Sequence, residues 1–182
     1  MELFTRIEAI RPWVARRDWA GLERTFEDAC RADAPGEEAG ISRVDLRRYT
    51  GALVNLVGRA SKALGPDIAA VYWEFDVDND WSSAAFLCSR YEPETATDDD
   101  WASEFDAERA IHGPAMPELA RLMSTWTGNE HAAANAYLIA RTIAAFGRAS
   151  AGWHADRPLC AGYHDQSVVF RIVAGAGDIP AR

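Results

Sequence analysis

The sequence predicts an α+β domain, in which helices pack on one face of a small antiparallel sheet of about four strands arranged as two hairpins. Three observations carry this. Apolar residues recur every three to four positions through the first third of the chain. The period then changes to short β-branched and aromatic runs with turn-forming residues between them. An alanine-rich helical segment separates these from a second pair of such runs near the end.

In order, Leu3, Ile7, Ile10 and Val14 mark a first helix that Pro12 ends or bends. Trp19, Leu22, Phe26 and Cys30 mark a second helix. The segment "RADAPGEEAG" reads as a loop by its proline and glycine content. A third helix carries Leu46, Tyr49, Leu53, Leu56 or Val57, Ala60 and Leu64 on one stripe, and Ser42 followed by Asp45 resembles a capping box at its start. "DIAAVYWEFD" and "SSAAFLCSRY" then form the first hairpin, connected by residues 76–83. Within the first of these runs, Val71, Trp73 and Phe75 should face the core, with Tyr72 and Glu74 outward. "EPETATDDD" reads as a polar loop, and residues 116–126 as a helix. A longer helix runs from Asn129, its N-cap, to about residue 149, and is apolar around most of its circumference, as expected of a central buried helix. "LCAGYHDQSVVFRIV" reads as the second hairpin, turning near Asp165 and Gln166, and the last residues as a frayed tail. One domain over 1–182 is expected: a helical part (1–64), the first hairpin (65–92), an acidic loop region (93–115), helices (116–150), the second hairpin (159–173) and the tail (174–182).

Charge is distributed unevenly. The chain carries a net −9, yet residues 1–64 hold 11 basic and 10 acidic side chains, and residues 65–130 hold 3 basic and 15 acidic. The acidic excess therefore lies in the middle third. A field of that sign repels nucleic acid and anionic membranes and attracts cations or basic proteins. No apolar run approaches the length of a membrane span, and the N-terminal residues do not resemble a secretory signal. Cys30, Cys88 and Cys160 are odd in number and far apart, with no CxxC pair. That usage fits a reduced cytoplasmic compartment and thiols spent as small core residues.

Two acidic clusters are the candidate sites. The first places Asp76, Asp78 and Asp80 at alternate positions before Trp81; the second runs Asp98, Asp99, Asp100, Trp101 and on to Glu104. "DVDND" matches the opening of a calcium loop, but Trp81 occupies the place of the turn glycine and Leu87 that of the bidentate glutamate. A strand also precedes it where an EF-hand needs a helix. No metal or other cofactor is therefore expected there. The alternative reading is a recognition surface, with the carboxylates steering a partner and the two tryptophans packing against it. Enzyme signatures are weak: there is no GxSxG elbow, P-loop, GxGxxG or HExxH, and His164 beside Asp165 is poorly placed to pair with it, since neighbours in a strand point to opposite faces. No catalytic residue is expected.

The succession "VYWEFDVDNDWSSAAFLC", "DDDWASEFD" and "GYHDQSVVFRIV" resembles a group of small bacterial immunity proteins encoded beside polymorphic toxins. The resemblance spans the two hairpins and the acidic loop, without a diagnostic motif, and leaves the N-terminal helices out. It implies a cytoplasmic, acidic, non-enzymatic protein that binds a cognate toxin domain, often a cationic nuclease or other nucleic-acid-modifying enzyme, and covers or distorts its active site. Two other readings stand beside it: a metal-dependent enzyme or metal-binding protein using the aspartate clusters, and a cytoplasmic regulatory or scaffold domain.

Overall fold

The computed structural model describes residues 2–93, 100–126, 129–164 and 168–175. It contains helices α1 (Leu3–Glu8), α2 (Arg11–Arg16), α3 (Trp19–Asp33), α4 (Glu37–Ser42), α5 (Arg47–Lys62), α6 (Pro117–Thr125) and α7 (Ala132–Ala149). Its strands are β1 (Ala70–Asp76), β2 (Ser82–Cys88), β3 (Ile111–His112), β4 (Leu159–Tyr163) and β5 (Phe170–Val173). The fold is α+β, as the sequence predicts.

The N-terminal apolar pattern forms two short helices. The break falls at residues 9–10, and Pro12 lies in the first turn of α2, where its missing N–H costs nothing. Part of the segment read as a loop is helical: the chain turns at Pro35 and at Gly36, whose φ is +96°, and α4 starts with Glu37 and Glu38 in its first turn. Ser42 and Asp45 do not form a capping box. Ser42 closes α4 and its hydroxyl bonds the Tyr137 hydroxyl at 3.1 Å, while Asp45 accepts from the Arg47 backbone N–H at 2.9 Å. Asn129 opens a 3-10 turn, so α7 itself begins one turn later, with His131 in the cap position.

Among the described residues the sheet has five strands, not four, in the order β3-β2-β1-β4-β5, and it is mixed rather than antiparallel. Both expected hairpins form, β1 with β2 and β4 with β5, and the residues that turn the second one, 165–167, lie outside the described set. The hairpins join through a parallel pairing of β1 with β4, in which Val71 lies opposite Leu159 and Phe75 opposite Tyr163. A two-residue β3 pairs with β2 at the edge.

Alternation along β1 holds, and both of its faces are covered. Val71, Trp73 and Phe75 enter the main core beneath the helices, where Trp73 stacks on Phe146 of α7 with ring centroids 4.1 Å apart. Tyr72 faces the other side and is also buried, in a second cluster with Cys88, Trp101, Cys160 and Val169. The stretch Ala70–Trp73, covered on both faces, has no call for polar positions, which accounts for the apolar start of the strand; the half-buried Glu74 follows it. Helix α7 is the hub: it is buried along nearly its whole length and packs against α1, α3, α4, α5 and α6. Among the described residues, no helix is long and apolar enough to cross a membrane.

Candidate functional site

The β1–β2 connection is a shaped turn. The Asp76 carboxylate accepts the Asp78 backbone N–H at 3.0 Å, and the Asn79 carbonyl accepts the Ser82 N–H at 2.9 Å. Asp80 and Trp81 take left-handed backbone, with φ of 53° and 54°. Aspartate adopts that region readily; for tryptophan it costs about 1–2 kcal/mol. Burial of the indole offsets this. Trp81 is fully buried, its ring lies 5.7 Å from that of Phe75, and its Nε1–H donates to Thr142 Oγ1 of α7 at 3.0 Å. A third tether is the Met116 N–H, which donates to the Asp80 carbonyl at 3.1 Å. The turn is thus pinned to the core and to the start of α6, while Asp78 and Asp80 stay exposed.

The sequence expectation for Trp81 and Trp101 needs correction. Neither offers a face to a partner, because both are inside. Trp101 is 1 % exposed and covers the second face of the sheet, packed edge-on against Tyr91 at 5.0 Å with the Arg171 guanidinium 5.7 Å above its ring. The indole is the largest apolar body in an otherwise acidic segment, so burying it is what docks that segment onto the sheet.

The described part of the second acidic cluster, which ends in Glu104, lies away from the first. Phe105 bridges to Cys88, six positions along β2 from Ser82 where the first cluster ends, which is about 20 Å at the rise of an extended strand. In the second cluster Glu104 is exposed and paired with Arg90 at 2.7 Å. Asp98 and Asp99 lie outside the described residues, as does the side chain of Asp100, whose backbone opens the 3-10 turn Asp100–Ser103. Among the described residues, no three Asp, Glu, His or Cys side chains converge as metal ligands would.

Against the first cluster lies a cleft of about 470 Å³ between the turn and α6. Val77, Asp78 and Asp80 line it from the turn, Arg121 and Trp126 from α6 and its end, and Asn135 from α7. Asn135 is 6 % exposed. Its side-chain amide N–H donates to the Trp126 carbonyl at 3.1 Å, and its Oδ1 is buried without a partner. Neither Asp78 nor Asp80 forms an ion pair among the described residues, and neither does Arg121. Sequence reasoning missed Arg121, Trp126 and Asn135. A signal existed for the last: Asn135 and Thr142 are polar positions seven apart in an apolar helix, hence two turns apart on one face. Both face the hairpin turn, one lining the cleft and the other binding Trp81.

A larger groove of about 670 Å³, lined by Glu23, Asp45, Arg43, Arg47, Arg141 and Arg148 among others, is different in kind. Its charges are mostly satisfied internally. Arg47 pairs with Asp45 at 2.6 Å and holds that carboxyl down at about 2. Arg148 pairs with Glu23, and Arg141 donates to the carbonyls of Ile41 and Val44 at the end of α4. Elsewhere His164 Nδ1 lies 2.6 Å from Glu74 Oε1, across β1 and the end of β4, and His131 Nδ1 lies 2.7 Å from Glu37 Oε1. All three cysteines are buried, and burial pushes the Cys30 thiol up to about 11 and the Cys88 thiol up to about 12. At neutral pH these two are thiols, not nucleophilic thiolates.

Comparison of the chain with protein-family models, with curated proteins and with solved structures finds no match.

Proposed function

We propose that the chain is a non-enzymatic binding protein of the immunity type, acting in the bacterial cytoplasm to neutralise a cationic toxin domain. The observation that carries this reading is the turn Asp76–Asp80. It carries the exposed carboxylates of Asp78 and Asp80 beside the half-buried Asp76, none of the three in an ion pair among the described residues, on a backbone pinned by a buried tryptophan. Carboxylates held in place before binding lose little freedom when a partner arrives, and they meet arginine and lysine where a nuclease expects phosphate. The acidic field of the middle third would draw such a partner in, towards association rates of about 10⁸–10⁹ M⁻¹s⁻¹ at low salt. Asp98, Asp99, Asp100 and Glu104 add their charge to that field, and the contact itself is assigned to Asp76, Asp78 and Asp80.

The test is affinity capture from the organism that encodes the chain, followed by expression of whatever is recovered. The reading expects one basic protein in near-stoichiometric amount, toxic when expressed alone and harmless when this chain is expressed with it. Recovery of no basic protein, or toxicity that this chain does not relieve, would refute it.

A further inference from the structure

We propose that the cleft between the β1–β2 turn and α6 is a binding site for a single guanidinium group, the side chain of one arginine. Three features on independent elements argue for it. Asp78 and Asp80 supply carboxylates that no cation of the described chain neutralises. Arg121 on the opposite wall adds one positive charge, so the cleft is left one charge short of neutrality, and one cation corrects it. Asn135 supplies a buried Oδ1 that lacks a donor, while its amide N–H is held by the Trp126 carbonyl.

A planar cation with several N–H groups matches this set better than an ammonium does. It can bond two acceptors at once and lie against the Trp126 ring, which also lines the cleft. The volume of about 470 Å³ leaves room for the side chain and some water. The inference rests on the reading above only for the source of the group, a residue of the protein partner; the chemistry of the cleft stands without it.

The test uses small probes and the full chain. N-acetyl-arginine N-methylamide is titrated into the isotopically labelled protein while the Trp126 indole N–H and the Asn135 side-chain amide are followed by NMR. N-acetyl-citrulline N-methylamide, which has the same shape and no charge, serves as the control. Saturable shifts of both resonances with the arginine probe are expected, and binding about tenfold weaker with citrulline. Asp78→Asn combined with Asp80→Asn should weaken the arginine probe by about tenfold or more. Asparagine tolerates left-handed backbone, so the turn keeps its shape, and the same spectra report it. Arg121→Gln should tighten binding. Shifts that are absent, that fail to saturate, that are equal for citrulline, or that survive the double substitution would each overturn the assignment. A failure here leaves the capture experiment untouched, and a failed capture leaves these titrations untouched.

Discussion

Replacing Trp81 separates a core residue from a docking residue. The side chain is fully buried, packs against Phe75 and donates to Thr142 Oγ1. Trp81→Ala removes about 150–250 Å² of buried surface, leaves a cavity and takes away one hydrogen bond. Together these cost about 3–5 kcal/mol, a large part of the ~5–15 kcal/mol that holds a typical domain together. Trp81→Phe keeps most of the ring and should cost less. Backbone geometry adds a sharper expectation. At a φ of 54° an L-residue is strained and glycine is not, so Trp81→Gly should be at least as stable as Trp81→Ala, the reverse of the usual order. Urea unfolding followed by circular dichroism, with each variant's midpoint and slope, measures all three. A Trp81→Ala protein within about 0.5 kcal/mol of wild type, or an alanine variant clearly more stable than the glycine one, would refute the reasoning.

Other outcomes follow from the same structure. Gly51 and Gly58 lie on the exposed face of α5, where an added Cβ meets nothing, so Gly51→Ala and Gly58→Ala should each stabilise by about 0.5–1 kcal/mol. At two turns' separation the gains should add, raising Tm by about 2–8 °C in the double variant. Gly147→Ala should do the opposite, because its Cβ would lie 2.5 Å from the Trp19 ring; a loss of about 1–3 kcal/mol in the same assay is expected. The buried thiols set a pH dependence. Cys30 and Cys88 move from 9.0 when exposed to about 11 and about 12 when folded. Above pH 9 the folded state therefore holds protons that the unfolded state releases, and stability present in full below pH 9 is lost as pH rises towards 11 for Cys30 and towards 12 for Cys88. The decline is about 1.4 kcal/mol per pH unit for each thiol. Urea midpoints across that range should fall for wild type and fall less for Cys30→Ala with Cys88→Ala.

Local signals carried most of the elements. Spacings of three to four residues place Leu22, Phe26 and Cys30 on the buried stripe of α3, and alternation places Val71, Trp73 and Phe75 beneath the helices. What local signals lacked was partnership. The parallel pairing of β1 with β4 joins segments more than eighty residues apart, and neither strand encodes the other as neighbour. The same gap explains the tryptophans. Asp80 and Asp100 mark their segments as surface, but the direction of Trp81 and Trp101 depends on what lies below them, Thr142 of α7 in one case and Tyr91 and Arg171 in the other. The carboxylates of the turn were legible as charge; of the far wall of their cleft, Asn135 left a trace as a polar position in an apolar helix, while Arg121 and Trp126 come from a helix that no pattern connects to the turn.

The most direct test of the acidic turn as the contact for a cationic partner is the association rate of the captured partner with wild type and with Asp76→Asn, Asp78→Asn, Asp80→Asn combined, measured from low to physiological salt. The account predicts a wild-type rate that is fast at low salt and falls steeply as salt rises, and a variant rate that is slower at low salt and much flatter. Rates that superimpose across the whole range would contradict it.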